Sequence, residues 1–235
     1  MGWKAKEEKL DGGRERCFEL SVENRRVPGV YWSPKKDSER LVLLGHGGTT
    51  HKKADYMLGI AKMFLKKGFS VMAIDGPGHG DRDEVGLSEN PEKFEEAWIS
   101  GGGTDGIVAD WSAALDFIEE EEAVRPTGWW GLSMGTMMGL PVVANDTRIK
   151  VALLGLMGNW GPDADLLVKL APKVTCPVRF LVQWDDEVVP RNACLDLFDK
   201  LGSKKKTLHA NPGLHSSIPQ FEVVASVDYL DRFVA

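Results

Sequence analysis

Cysteine is scarce: Cys17, Cys176 and Cys194 stand far apart and no CxxC pair occurs. An odd, scattered set excludes a disulfide framework as the basis of stability. A Walker A sequence and a His/Cys cluster at ligand spacing are both missing, which leaves P-loop and structural-zinc chemistry without their residues. No apolar run approaches the roughly 18 residues of a membrane helix. Met1–Arg16 is mostly charge and glycine and lacks the apolar stretch of a signal peptide. A flexible N-terminus over residues 1–16 and a cytoplasmic location are therefore the default expectations. Positive charge is also short, with 29 Lys and Arg against 35 Asp and Glu and a formal net charge of -6. A general nucleic-acid binder would be basic, so neither nucleic acid nor membrane is expected as a partner. The acidic block Glu119–Glu122 and the basic run Lys204–Lys206 read as solvated surface.

What the chain does have is alternation. Its 235 residues, 43% of them apolar, suffice for one domain with a substantial core, expected over residues 17–235. Short β-branched apolar runs are followed again and again by helical patterns, the rhythm of parallel strands with crossover helices. Eight strands are predicted. Cys17–Val22 and Val27–Trp32 flank a polar turn and read as an antiparallel hairpin. Six more follow at Leu41–Leu44, Phe69–Ile74, Thr127–Gly131, Val151–Leu156, Val178–Gln183 and Lys205–His209. Helical spacing marks Lys53–Lys67, Pro91–Ile99, Thr104–Glu122, Met134–Ala144, Asp163–Leu170, Arg191–Leu201 and Pro219–Phe233. Pro141 should kink or end the helix that contains it. The fold class is thus α/β, a mostly parallel eight-stranded sheet with helices on both faces.

Gly131-Leu132-Ser133-Met134-Gly135 matches G-x-S-x-G. The pattern serves a sharp strand-to-helix turn that exposes the serine hydroxyl, with small residues on either side so that strand and helix can approach. Alone it is weak, with roughly 0.1 chance matches expected in so glycine-rich a chain. Here an apolar strand ends at Gly131 and a helical pattern begins after Ser133, as the turn requires. A serine needs a base. His46 and His79 lie in glycine-rich turns, His51 precedes a helix and His209 lies in a strand. His215 sits in the loop after the last strand, at the sheet edge where open α/β folds bind ligands, and is the candidate base. Its imidazole needs a carboxylate, and Asp185, Asp186 and Glu187 follow the strand Val178–Gln183. Gly101–Gly106 fits G-x-G-x-x-G, but the segment before it reads as helix, whereas a dinucleotide site needs a strand there.

The chain order serine, acid, histidine resembles the α/β-hydrolase family. Asp186-Glu187-Val188-Val189-Pro190 matches that family's D-x-x-V-P stretch, which favours Asp186 over Asp185 as the acid. His46-Gly47-Gly48 looks like its oxyanion loop, and Asp75–Gly80 like its structural D-x-x-G-H-G segment. The resemblance runs from about Val30 to the C-terminus. It implies oxyanion donors on the main chain of Gly48 and Met134, no cofactor and no metal. Only Met157–Pro172 is available where many members insert a large cap, so the cap is minimal. The layout is similar to small carboxylesterases and dienelactone-hydrolase-like proteins, although the latter use cysteine where this chain has Ser133. The expectation is a serine hydrolase of small-molecule carboxylic esters with small to medium acyl groups. A peptidase, lactonase or acyltransferase of the same fold is the nearer alternative, and a non-catalytic ligand-binding protein the more distant one. The Asp81–Gly103 stretch and nearby loops are expected to set substrate choice. Trp98 and Ile99, with Leu132 beside the nucleophile, are the expected pocket residues, although Phe94, Trp98 and Ile99 could equally pack on the core.

Overall fold

A strand covered by helices on both faces must be apolar on both sides, and every residue of Leu41–Gly45 is buried. Successive side chains point to opposite faces: Leu41 and Leu43 join one hydrophobic core, Val42 and Leu44 the other. The computed structural model describes residues 2–10, 13–36, 38–84, 86–87, 89–123 and 125–234. Its strands are β1 (Gly2–Leu10), β2 (Gly13–Val22), β3 (Arg25–Pro34), β4 (Leu41–Gly45), β5 (Ser70–Ile74), β6 (Thr127–Gly131), β7 (Ile149–Gly155), β8 (Val178–Gln183) and β9 (Lys206–Asn211). Its helices are α1 (Asp55–Lys66), α2 (Phe94–Ser100), α3 (Gly103–Glu121), α4 (Met134–Asn145), α5 (Ala164–Leu170), α6 (Arg191–Lys200) and α7 (Gln220–Phe233).

One sheet holds the nine strands in the order β1-β2-β3-β5-β4-β6-β7-β8-β9. From β5 to β9 neighbouring strands are parallel, while β1, β2 and β3 form an antiparallel edge. Helices α1 and α7 cover the face that carries Val42, Val71, Trp130 and Leu153. Helices α3, α4, α5 and α6 cover the opposite face, where Trp111 meets Trp129 edge-on at 4.7 Å between ring centroids.

One expectation is corrected. Among the described residues the sheet has nine strands rather than eight, because the segment read as a flexible N-terminus supplies β1 and the start of β2. Met1, Asp11 and Gly12 of that segment lie outside the described residues. Trp3 accounts for the order: its ring packs on Phe18, Tyr31 and Phe117, and the Arg16 guanidinium lies 3.9 Å over it. An edge strand tolerates charge because much of it faces water, which makes the composition resemble that of a disordered tail. Pro141 lies inside α4, as the expected Met134–Ala144 helix placed it; the helix continues to Asn145, whose side-chain amide donates to the Pro141 carbonyl at 2.8 Å.

A buried charge network braces the loops at the site end of the sheet. Asp110, fully buried on α3, accepts from Arg25 of β3 at 3.1 Å and from Arg82 at 2.8 Å. Arg82 also donates to the Asp75 carbonyl at 3.1 Å. Removing one member of a buried ion network leaves charge without a partner, at a cost of about 3–5 kcal/mol. Asp110→Ala should lose stability on that scale in urea unfolding, and a loss below about 1 kcal/mol would show that the network carries little.

Candidate active site

The parallel strands end along one edge, and the loops there bring the candidate residues together. Ser133 sits between β6 and α4 at φ 56°, ψ -124°, a conformation rare for a residue with a side chain. Its N–H donates to the Gly155 carbonyl at 2.9 Å, which ties the turn to the end of β7. The flanking glycines are required by contact. A Cβ on Gly131 would stand 2.3 Å from the Gly135 oxygen, and one on Gly135 2.4 Å from the Gly45 oxygen.

His215 lies between β9 and α7. Its Nε2 is 2.9 Å from Ser133 Oγ, and its Nδ1 is 2.8 Å from Asp186 Oδ2. With the proton on Nδ1, the ring donates to the carboxylate and accepts from the serine hydroxyl. The Asp186 side chain is 1% exposed and that of His215 16%. The other oxygen of Asp186 accepts the N–H groups of Val188 and Val189 at 2.9 and 2.8 Å. The D-x-x-V-P stretch therefore folds back on its own acid.

Asp185 and Glu187 hold the histidine's main chain instead. Asp185 accepts the Gly213 N–H at 3.2 Å and Glu187 the His215 N–H at 2.8 Å. Gln183, buried at the end of β8, donates to the Leu214 and Ser217 carbonyls at 3.2 and 3.0 Å. Sequence reasoning passed over Gln183, whose signal is a polar residue at the C-terminal end of a strand buried at every position.

The loop over residues 46–49, the candidate oxyanion loop, is set by two buried histidines. The Gly76 N–H donates to His46 Nε2 at 2.9 Å and the Thr49 N–H to His79 Nε2 at 3.1 Å. Each ring therefore carries its proton on Nδ1, bonded to the carbonyls of Gly47 and Pro77 respectively. The Gly47 N–H donates to the Tyr56 hydroxyl at 2.8 Å. Between those two engaged amides, the Gly48 N–H has no hydrogen-bond partner among the described residues, and neither has that of Met134 at the start of α4. Burial holds His46 below its ordinary value, at about 4, with the neighbouring His79 pushing the same way; burial lowers His79 too.

The pocket differs from expectation. A cavity of about 740 Å³ opens beside Ser133 and His215, and Leu132 lines it as expected. Trp98 and Ile99 do not. Trp98 is buried, stacks with Phe94 and donates to Asp163 at 2.7 Å, because the short helix α2 turns its apolar side to the core; Ile99 points outward and is 65% exposed. The cavity lies on the opposite side of the sheet, between α1 and the start of α7, so among the described residues the Asp81–Gly103 stretch contributes none of its lining. Val85 and Ser88 of that stretch lie outside the described residues. The Gly101–Gly106 run follows helix α2 rather than a strand, as a dinucleotide site would not.

Residues 36–160 match the family model described as serine aminopeptidase, S33 (Hydrolase_4). A cold-adapted esterase from an Arctic intertidal metagenomic library, in its PEG-bound complex, is 59% identical over 100% of both chains, with a TM-score of 0.95. Its native structure is 55% identical over the same extent, with a TM-score of 0.89. The acetyl xylan esterase from Paenibacillus sp. R4 shares the fold at 16% identity and a TM-score of 0.75, over 98% of this chain and 88% of that one. No curated protein matches the chain.

Two expected outcomes follow from the geometry. Glu187→Ala frees the His215 main chain and should lower kcat about tenfold, the scale of one hydrogen bond to a charged acceptor. Glu187→Gln keeps an acceptor and should restore most of the rate; equal losses in the two variants would assign the effect to charge. For His46, the folded value lies below the unfolded value near 6.5, so between about pH 6.5 and 4 the unfolded chain binds a proton that the folded chain does not. Stability contributed by the neutral ring is complete above pH 6.5 and is lost as pH falls toward 4, by up to about 3 kcal/mol. Urea midpoints measured across that window should fall more steeply for the wild type than for His46→Asn.

Proposed function

This chain belongs to the serine aminopeptidase S33 (Hydrolase_4) family, and on that premise we propose that it is a serine hydrolase cleaving carboxylic esters of small to medium acyl size. The observation that carries the reading is the continuous relay from Ser133 Oγ through His215 to Asp186, beside two main-chain N–H groups without partners. The esterase with which the chain shares 59% identity supports the reaction class.

In this reading His215 Nε2 takes the Ser133 proton as the oxygen attacks the ester carbonyl. Asp186 holds the imidazole in the required tautomer and stabilises its charged form. The Gly48 and Met134 N–H groups meet the developing oxyanion, and such donors are typically worth about 2.7–4 kcal/mol each. The alcohol leaves with the proton from His215. Water, activated by the same ring, then hydrolyses the acyl-enzyme.

The cavity argues for esters over peptides. Among the described residues no Asp, Glu, Lys or Arg lines it, whereas an aminopeptidase must receive a free ammonium and would gain from a carboxylate there. Neutral substrates suit an apolar wall with a few convergent polar groups.

Ser133→Ala and His215→Ala should each lower kcat on p-nitrophenyl esters by about 10⁴–10⁶, and the double variant scarcely further, because triad members act as a unit. Asp186→Asn should cost about 10⁴ and Asp185→Asn far less. A fluorophosphonate should label Ser133. Additive losses, or a more damaging Asp185→Asn, would overturn the assignment.

A further inference from the structure

One face of α1 forms a cavity wall: Tyr56, Gly59, Ile60 and Met63 follow the i, i+3, i+4, i+7 spacing and all line it. Ile218, just before α7, and Gln220 and Val223 at its start also line the cavity, as does Trp130. The helices are tied together at their far ends, where Lys67 bridges Asp228 and Asp231 at 3.0 and 2.9 Å. At the near end the Tyr56 hydroxyl holds the oxyanion loop. A helix rises 1.5 Å per residue, so the wall runs from the reacting centre at Tyr56 past position 59 to Met63, roughly 10 Å along the axis.

Gly59 has no local reason to be glycine. It lies inside α1, outside the left-handed backbone region, and a Cβ built on it would meet nothing within 4 Å. The contrast with Gly139 is sharp, where a Cβ would stand 1.9 Å from the Trp129 ring. Glycine in a helix interior is destabilising relative to alanine. What the missing side chain provides is bare space in the middle of the cavity wall.

We infer that Gly59 determines specificity by leaving room for an extended apolar limb of a neutral ester, one that passes Tyr56 and lies along α1 toward Met63. The inference rests on the esterase reading above and adds the substrate class: uncharged esters with a medium-length hydrocarbon limb on one side of the scissile bond. A short acetate stays beside the nucleophile and does not reach position 59.

The test compares wild type, Gly59→Ala and Gly59→Leu on two ester series. One lengthens the acyl chain of p-nitrophenyl esters from acetate to octanoate, and the other lengthens the alcohol of alkyl acetates from ethyl to octyl. In one series the ratio of kcat/KM for the longest to the shortest member should fall at least tenfold in Gly59→Leu and by a smaller factor in Gly59→Ala, mainly through KM. Gly59→Ala should also raise Tm by about 2–4 °C, the return of helix propensity in a chain of this size. Wild-type length profiles for both variants in both series would overturn the inference while leaving the esterase reading intact. So would a lowered Tm in Gly59→Ala, which would show that the fold itself needs glycine there. A wild type that hydrolyses no member of either series would overturn the esterase reading and this inference with it.

Discussion

The site depends on one backbone constraint, the turn at Ser133. A residue at positive φ at the end of a strand reverses the chain within a single step, and the close approach of β4, β6 and α4 helps to hold it there. Gly45, Gly131 and Gly135 permit that approach because a side chain on any of them would overlap its neighbours. Once the turn is set, the Ser133 hydroxyl stands clear at the edge of the sheet and the Met134 N–H opens α4 without a partner. Strain at Ser133, of order 1–3 kcal/mol for such a conformation, is met by the packing of both cores and by the bond to Gly155.

The histidine reaches Ser133 through a second set of constraints concentrated at the end of β8. Gln183, Asp185, Asp186 and Glu187 all bond to the segment Gly213–Ser217: three to its main chain and one to the imidazole. Three acids in a row therefore divide the labour. One is buried against the ring, while the other two receive backbone N–H groups at the surface. The loop over residues 46–49 is placed in a similar way, by imidazoles that accept from the Gly76 and Thr49 N–H groups and so fix its path between β4 and α1.

What could be read in advance follows from how local each determinant is. The serine turn, the D-x-x-V-P stretch and the histidine loop are encoded within five residues or by chain order, so the meeting of Ser133, Asp186 and His215 at one place was legible, and their distances support the proposed roles. Strand and helix positions were legible because buried strands such as Leu41–Gly45 carry no polar side chain. The cavity was not, because α1 has two adjoining apolar faces: Met57, Ala61 and Phe64 turn to the sheet, while Gly59 and Met63 turn to the cavity. Periodicity reports that such residues are apolar without saying which surface they meet. The Asp81–Gly103 stretch misled for the opposite reason. Its aromatics suggested a wall, but a seven-residue helix has little apolar surface, and Trp98 uses it to reach the core and Asp163. The first strand was hidden by charge, which an edge position tolerates.

The contact of Gly45, Gly131 and Gly135 has a consequence for how such a molecule can diversify. Positions where a side chain would strike backbone atoms are closed to change, whichever substrate is under selection. The walls of α1 and α7 meet the sheet with their inner faces and are tied to each other through Lys67 and to Gly47 through Tyr56, while a position such as 59 is free to vary in size. Variation in substrate preference can therefore accumulate on two helices while the geometry at the serine stays frozen. Natural divergence or a directed library would explore new esters by altering side chains that never touch the nucleophile's turn.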